Sequence, residues 1–247
     1  MAERTLILIP ACNEEGRLAC VLDAVAAQGL AADVLVLDDG SRDGTASEAR
    51  RRGAIVVSHP FNLGYGSALH TGYHYARRHG YTRLVQMDAD GQHDPRSLPT
   101  LLDGLERGAD VVVGSRYLAG SAPPTSFARR AGSRLFAWIV SRWTGTRITD
   151  PTSGFQALSG RALEFLAQDH FPEDYPDADV LIMLHREGMR LLEVPVQMHA
   201  RLSGLSMHRG GRAAYYAYKM LLTLALLRVR RKSPFRSGTL TPLPSAR

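Results

Sequence analysis

The chain has 247 residues, of which 45% are hydrophobic and 22% are charged. This balance is typical of a globular protein with a full-sized core and excludes an intrinsically disordered chain. The formal net charge of +6 indicates an anionic partner. Charge alone does not distinguish among a nucleotide, a phosphate, a nucleic acid and an anionic membrane surface.

The first residues and the cysteines indicate a cytoplasmic protein. The chain starts MAERTLILIPACNEE, with no basic region followed by an apolar segment and a small-residue cleavage site. Cys12 and Cys20 have neither CxxC spacing nor a second pair. We therefore interpret both as packing residues in a reducing compartment rather than as metal ligands.

Short aliphatic runs recur in the first half of the chain and predict strands. They are TLILI (5–9), DVLVL (33–37), AIVVS (54–58), RLVQM (83–87) and DVVVG (110–114). Because these runs are apolar on both alternations, they fit a parallel sheet that helices cover on both faces. The segments EGRLACVLDAVAAQ and RSLPTLLDGLERG between them have apolar residues at helical spacing. The pattern predicts a doubly wound α/β sheet.

The region from about 120 to 210 is less regular and predicts a smaller lobe. DPTSGFQALS resembles a loop followed by a short strand, and DADVLIMLHREG resembles a helix. In RLLEVPVQMHAR, Pro195 is typical of an edge strand or a bulge. The sequence shows no internal repeat.

Polar clusters follow the predicted strands at one edge of the sheet, where open α/β sheets bind ligands. In LDDGSRDGT, either Asp38 or Asp39 is a candidate acceptor for a base or ribose hydroxyl. The alternative is a plain turn in which Ser41 or Asp43 caps the next helix. NLGYGSALHTG (62–72) is either a phosphate-binding helix start or a tight turn, since it is neither a Walker A loop nor a GxGxxG motif.

The segment DADGQHD (88–94) predicts a metal site. Asp88 and Asp90 are two residues apart, so in an extended segment they point the same way. Two carboxylates suit Mg²⁺ or Mn²⁺ bound together with a substrate diphosphate better than a closed protein cage. The spacing is that of neither an EF-hand nor a zinc site. A purely structural turn is the alternative.

Basic residues after the fifth strand are candidates for phosphate binding. Arg129 and Ser133 are one helical turn apart, so a guanidinium and a hydroxyl could hold the same phosphate. Arg116 and Arg130 lie in the same region. The alternative is that these are ordinary surface arginines.

In this order, the clusters resemble family 2 glycosyltransferases with the GT-A fold, and within them the dolichol- or polyprenol-phosphate mannose synthase-like group. The resemblance covers residues 4–210 and rests on seven segments: IPACNEE, DDGSRDGT, NLGYGSAL, DADGQHDP, VVVGSRY, DPTSGFQALS and EVPVQMHARLSGLS. It implies a GT-A domain over residues 1–211, with a doubly wound, mostly parallel sheet, helices on both faces and a smaller acceptor-side lobe.

The resemblance also implies a role for each matching residue. The residues implied to bind a nucleotide-diphosphosugar donor are Pro10, Asn13, Glu14, Asp38, Asp39, Asp88, Ala89, Asp90 and Arg201. Those implied to hold Mg²⁺ or Mn²⁺ are Asp88, Asp90 and Gln92, and those around the acceptor phosphate are Arg116, Arg129 and Ser133. The implied catalytic set is Asp88, Asp90, Arg116 and Asp179.

Three positions depart from the family pattern and bear on the choice of nucleotide and sugar. Cys12 stands where an aromatic residue often stacks on the base. Gln156 stands where an arginine is common, and Met207 where mannose synthases tend to have a lysine.

The C-terminal residues predict a contact with the membrane. Residues 212–232 form a predicted amphipathic helix that is followed by a flexible tail, 233–247. The broad apolar face and the nearby cations are typical of a peripheral protein on anionic lipid, or of a contact with a small membrane-protein partner through 213–232. The alternative is a helix packed on the protein's own core.

We expect an inverting, metal-dependent glycosyltransferase that moves a hexose, mannose from GDP-mannose, to a polyprenyl phosphate at the cytoplasmic membrane face. The alternative is a soluble transferase that uses a UDP- or GDP-sugar on a hydroxyl acceptor, with Asp177 or Asp179 as the base. A nucleic-acid-binding module would explain the charge but not the acid clusters, so we expect no nucleic-acid partner.

Overall fold

The computed structural model describes residues 3–120, 127–168 and 178–199, and for residues 127–131 the backbone alone. Within these ranges the fold is a sheet of seven strands in the order β3-β2-β1-β4-β6-β5-β7. The strands are β1 Thr5–Ala11, β2 Ala32–Asp38, β3 Ile55–Ser58, β4 Arg83–Gln86, β5 Val111–Ser115, β6 Gln156–Ser159 and β7 Leu191–Pro195.

Seven α-helices accompany the strands in the described ranges. They are α1 Arg17–Ala26, α2 Thr45–Arg51, α3 Tyr65–Arg78, α4 Leu98–Glu106, α5 Phe127–Thr144, α6 Gly160–Leu166 and α7 Ala178–Arg186. A short 3₁₀ helix, Pro95–Ser97, precedes α4. None of the helices in the described ranges is both long and apolar enough to cross a membrane.

The sheet is mostly parallel, as the sequence predicted. β1 pairs in parallel with β2 and β4, and β5 pairs in parallel with β7. β6 is antiparallel to both of its neighbours, β4 and β5. Because β6 runs in the opposite direction, the loop that precedes it reaches the same edge as the carboxyl ends of β4 and β5. That edge collects the polar segments.

Helices bury both faces of the sheet, which explains the aliphatic runs. In β1, Leu6 and Leu8 belong to one hydrophobic cluster together with Leu69 of α3. The alternate residues, Ile7 and Ile9, belong to a second cluster that includes residues of α1 and α4. A strand whose two faces both lie in a core requires apolar residues at every position.

In the second lobe, α6 was not predicted, and α5 was predicted only in the one-turn spacing of Arg129 and Ser133. In α5, Phe136 and Val140 form a buried pair one turn apart. Gly132 and several arginines interrupt the apolar pattern of the same helix, so its period is weak in the sequence. The predicted edge position of Pro195 is confirmed, because Pro195 ends β7, the last strand of the sheet.

The interpretation of both cysteines as packing residues is wrong for Cys20. This residue is exposed on α1, between buried neighbours Ala19 and Val21, because the helix turns it away from the sheet. Cys12 is partly buried. The predicted helix 212–232, the tail 233–247, Arg201 and Asp177 lie outside the described residues.

Candidate active site

The segments after β1 and β2 interlock at the carboxyl edge of the sheet. Asn13 has a positive φ of 55°. Its N–H donates to Oγ of Ser41 over 2.9 Å, and its Oδ1 accepts from the N–H of Arg42 over 2.9 Å. The Glu14 carboxylate forms an ion pair with Arg17. Asn13 therefore joins the two loops, and Pro10 lies just before this segment, in β1.

Asp38 and Asp39 are both buried but have different contacts. Oδ1 of Asp38 accepts from the N–H of Ser41 over 3.1 Å. The Asp39 carboxylate accepts from Nδ1 of His59 over 2.7 Å and from the N–H groups of residues 63–64 over 2.8 and 2.9 Å. Asp39 thus anchors the loop that leads into α3. The Asp38 carboxylate accepts fewer of these hydrogen bonds than that of Asp39 and so retains more acceptor capacity for a nucleoside.

The alternative interpretation of LDDGSRDGT, a turn in which Ser41 or Asp43 caps the next helix, is correct for Asp43. Oδ1 of Asp43 accepts from the N–H of Thr45, the first residue of α2, over 3.0 Å. The loop after β2 is therefore a capped turn whose preceding aspartate, Asp38, remains at the sheet edge.

Hydrogen bonds hold the acidic segment after β4 in place. The Tyr65 hydroxyl donates to Oδ1 of Asp88 over 3.1 Å, and the N–H of Asp88 donates to Nδ1 of His93 over 2.9 Å. The N–H of Gln92 donates to Oδ1 of Asp90 over 3.0 Å. The Asp88 side chain is about one third exposed, whereas Asp90 and the intervening Ala89 are buried.

The donor chemistry of this segment fits a hard divalent cation. Asp88 and Asp90 supply carboxylate oxygens, and Gln92 supplies an amide oxygen. In the described part of the chain, no group of three or more His, Cys, Asp or Glu side chains could enclose a metal. Mg²⁺ commonly uses one or two protein carboxylates together with substrate phosphates and water, so an open site of this kind fits.

Residues 92–94 lie against residues 197–199, which follow β7. The N–H of His199 donates to the carbonyl oxygen of Gln92 over 2.8 Å, and the N–H of Asp94 donates to that of Gln197 over 3.3 Å. Nε2 of His199 is 3.1 Å from Oδ2 of Asp94. Arg201 follows His199 by two positions in the sequence. The segment with the predicted metal ligands and the residues that precede the predicted phosphate-binding arginine are therefore neighbours.

Arg116, a predicted acceptor-phosphate residue, pairs with a buried carboxylate. Its Nε and Nη2 donate to Asp150 over 2.6 and 2.9 Å, and Asp150 is fully buried. The N–H of Asp150 donates in turn to Glu193 of β7 over 2.7 Å. Burial raises the pKa of Glu193 above its ordinary value, although hydrogen bonds from residues 149–150 oppose the shift. Arg116 is thereby fixed at the end of β5.

The other predicted acceptor-side residues lie on helices α5 and α7. Oγ of Ser133 accepts from the Tyr117 hydroxyl over 3.1 Å. Arg129 is one turn earlier on α5, and the structure describes its backbone alone. Asp179 is buried in the first turn of α7. Its proposed role as a catalytic acid or base stays a prediction.

The two described departures from the family pattern have distinct surroundings. Nδ2 of Asn62 donates to Sγ of Cys12 over 3.1 Å, and burial raises the pKa of the Cys12 thiol. Gln156 is buried and donates to the carbonyl oxygen of Ser153 over 2.8 Å.

Sequence reasoning assigned no role to several residues that shape this edge. These are His59, Tyr65, Asp150, Glu193 and His199. All but His59 fall in the conspicuous motifs NLGYGSAL, DPTSGFQALS and EVPVQMHAR. The motifs marked the right segments, but their spacing did not reveal contacts between distant segments.

Comparison with known proteins identifies the family of this chain. The model of glycosyl transferase family 2 matches residues 6–167. A polyprenol monophosphomannose synthase from Mycolicibacterium smegmatis is 32% identical over 88% of this chain and 86% of its own length. An undecaprenyl-phosphate mannosyltransferase from Micrococcus luteus is 34% identical over 84% of this chain and 88% of its own length.

Solved structures share the fold at lower identity. Glucosyl-3-phosphoglycerate synthase from Mycobacterium tuberculosis, in complex with phosphoglyceric acid, has a TM-score of 0.73 and 22% identity, covering 94% of this chain and 82% of that one. Its complex with Mn²⁺ and UDP-glucose has a TM-score of 0.69 and 21% identity, covering 94% and 81%. At such identity the likeness shows the GT-A fold alone. The chain belongs to the family 2 glycosyltransferases, in the polyprenol-phosphate mannose synthase-like group, and is a glycosyltransferase.

Proposed function

We propose that the protein transfers mannose from GDP-mannose to a polyprenyl phosphate at the cytoplasmic face of the membrane, with Mg²⁺ or Mn²⁺. The observation that carries this proposal is the gathering of the acidic pair after β4 and of Arg116 after β5 at one edge of the sheet. Relatives named as polyprenyl-phosphate mannosyl enzymes support the acceptor and the sugar.

The donor would lie across the ends of β1, β2 and β4. Asp38 would accept from the nucleoside, beside Asn13 and Glu14. Asp88, Asp90 and Gln92 would hold the cation, which when bound neutralises diphosphate charge and assists departure of the nucleoside diphosphate. Solved structures of the same fold with Mn²⁺ and UDP-glucose, or with Mg²⁺ and UDP, support a divalent metal.

The acceptor would approach from the β5 side. A phosphate monoester is largely dianionic near neutrality, with a second pKa of about 6, so its oxygen can attack without a strong base. The new bond joins that oxygen to the anomeric carbon while the bond from this carbon to the diphosphate breaks, with inversion. Arg116, Arg129 and Ser133 would orient the acceptor phosphate and offset repulsion between the two anions.

Turnover with defined substrates tests the reaction. Purified protein with Mg²⁺ or Mn²⁺ receives GDP-mannose or UDP-glucose, each with and without undecaprenyl phosphate, and mass spectrometry follows the lipid. We expect mannosyl-phosphoryl-undecaprenol that disappears in Asp90→Ala and persists in Asp103→Ala, because Asp103 is an exposed acid on α4. If a donor is only hydrolysed and no lipid product forms, the lipid acceptor is wrong and hydroxyl acceptors become the targets.

Membrane association through residues 213–232 is tested by sedimentation with liposomes. Each basic residue near an anionic surface contributes about 1 kcal/mol, so replacing Arg230, Arg231 and Lys232 by glutamine should weaken binding roughly 100-fold. The matched control replaces Arg50, Arg51 and Arg52, three arginines at the end of α2. Equal binding of both triple variants and the unaltered protein would contradict a basic C-terminal anchor.

A further inference from the structure

We propose that Tyr65 is a positioning residue for Asp88, because its hydroxyl fixes the carboxylate in the orientation that receives a divalent cation and the donor diphosphate. This inference deepens the proposed function and rests on it. Tyr65 would act through Asp88 and would not itself be a ligand of the metal.

One hydrogen bond and the packing of the ring hold the Tyr65 hydroxyl in place. The hydroxyl donates to Oδ1 of Asp88 over 3.1 Å, and the ring packs against the hydrophobic cluster on the α3 face of the sheet. A Cβ atom added at Gly154 would lie 2.9 Å from the hydroxyl oxygen and 3.5 Å from Oδ1 of Asp88. The absence of a side chain at residue 154 therefore leaves the space in which this hydrogen bond is made.

The backbone before Tyr65 is also fixed from a distance. The Asp39 carboxylate accepts from the N–H groups of Leu63 and Gly64, which immediately precede α3. Asp39 is itself held by Nδ1 of His59 over 2.7 Å, and both side chains are less than a tenth exposed. The start of α3, and with it Tyr65, is thus held by residues that follow β2 and β3 at the carboxyl edge of the sheet.

These contacts constrain Asp88 on two sides. Tyr65 donates to Oδ1, while the backbone N–H of Asp88 is bonded to His93 and Nε2 of His93 lies 3.7 Å from Oδ2. Oδ1 retains a second lone pair for a cation. Hydrogen-bond partners of metal ligands orient them, and their loss typically costs 10–100-fold in metal affinity or activity.

The test measures binding rather than turnover. Calorimetry gives the affinity of Tyr65→Phe for GDP and for UDP, each with Mn²⁺ and with EDTA. We expect the Mn²⁺-dependent affinity to fall about 10-fold and the affinity in EDTA to stay unchanged. Tyr75→Phe is the matched control, since it removes a hydroxyl from the same helix about 15 Å further along and should bind as the unaltered protein does.

Gly154→Ala provides an independent perturbation of the same hydrogen bond. Its Cβ would displace the Tyr65 hydroxyl, so it should weaken Mn²⁺-dependent binding in the unaltered background. In the Tyr65→Phe background, where the displaced atom is gone, it should have little further effect. Additive losses would overturn the proposed coupling.

The remaining outcomes separate the two proposals. If the unaltered protein binds a nucleotide more tightly with Mn²⁺ and Tyr65→Phe does the same, the role of Tyr65 is overturned and the proposed function stands. If Tyr65→Phe loses as much affinity in EDTA as in Mn²⁺, Tyr65 supports the nucleotide pocket and not the metal ligand. If Mn²⁺ has no effect on the unaltered protein, both proposals are overturned.

Discussion

The N–H of His199 donates a hydrogen bond to the carbonyl oxygen of Gln92 over 2.8 Å, across more than a hundred residues of chain. A two-residue bridge between His93 and Met198 continues the contact. The segment that carries the candidate metal ligands is therefore one side of a small antiparallel pairing. The other strand of this pairing, residues 197–199, precedes Arg201 in the sequence. A displacement of residues 92–94 would therefore also displace residues 197–199, and the reverse.

Asp94 should be important for the stability of this pairing. It accepts from the N–H of Arg96 over 3.0 Å, capping the 3₁₀ helix, and it contacts His199. Loss of a helix cap costs about 1 kcal/mol, and loss of the second contact adds to it. We expect Asp94→Ala to lower the free energy of unfolding by roughly 2 kcal/mol in urea titrations. Asp103→Ala, at an exposed acid on α4, should change it by less than about 0.5 kcal/mol, and equal effects would contradict the prediction.

Arg116 and Asp150 allow a structural role to be separated from an acceptor role. Removing the guanidinium leaves a fully buried carboxylate without its cation, which typically costs about 3–5 kcal/mol. We expect Arg116→Ala to lower the free energy of unfolding by about 3 kcal/mol. Adding Asp150→Asn should restore much of that loss, because the charge is gone.

Activity then reports on the acceptor. If Arg116 contacts the acceptor phosphate, the double variant regains stability but its KM for undecaprenyl phosphate remains raised. If the double variant regains both its stability and the KM of the unaltered protein, Arg116 contributes to the stability of the fold alone. Thr152→Ala, which removes a weaker contact to the same guanidinium over 3.4 Å, is the matched control.

The sequence predicted the sheet edge because its physical cause is local. A strand buried on both faces must be apolar, so an acidic residue at the end of the apolar run marks the carboxyl end of the strand. Asp38 is the last residue of β2, and Asp88 follows β4. Those positions needed no knowledge of the tertiary structure. The same argument located Arg116 after β5.

The contacts of these residues were not predictable, because they join segments that are distant in sequence. From the spacing, Asp38 and Asp39 were equally good candidates for binding a nucleoside. In the structure, Asp39 instead binds His59 and the amides before α3. Similarly, Arg116 resembled a free phosphate ligand until the fold placed Asp150 beside it. Periodicity indicates which face of a helix or strand is buried. It does not indicate which polar side chains from distant segments bind each other.

Gly40 should be far less tolerant of substitution than another glycine with similar backbone geometry. Gly40 has φ +67°, and an added Cβ would lie 2.4 Å from the carbonyl carbon of Phe61. Gly53 has φ +77° with nothing within 4 Å of the corresponding position. Gly53→Ala should therefore cost only the roughly 1 kcal/mol of a left-handed backbone. Gly40→Ala should cost several kcal/mol more, since backbone must move.

Thermal or urea unfolding of the two glycine variants checks this difference. The clash at Gly40 also presses on the segment before α3, so Gly40→Ala should weaken nucleotide binding while Gly53→Ala leaves it unchanged. Two variants of equal stability would mean that the loop at Phe61 yields at little cost.

The alkylation rate of Cys12 should show whether a nucleotide is bound at the carboxyl ends of β1 and β2. Burial raises the pKa of its thiol, the hydrogen bond from Asn62 opposes this, and the charge of Asp39 adds to the rise. Because the thiolate is the reactive form, a raised pKa means less thiolate at a given pH and slower alkylation. In a Cys20→Ser background, iodoacetamide should therefore react with Cys12 along a pH curve displaced upward from that of a short unstructured cysteine peptide.

Asn62→Ala tests the cause of this displacement. Removing the hydrogen bond that favours the thiolate should move the curve to still higher pH, with each unit of pKa reducing the thiolate fraction about tenfold below the midpoint. Asn13→Ala removes a longer contact to the same sulfur, 3.5 Å, and should move it less. In the Cys20→Ser protein without further changes, GDP with Mn²⁺ should slow the alkylation of Cys12. If saturating nucleotide leaves the rate unchanged, the guanine base does not bind beside Cys12.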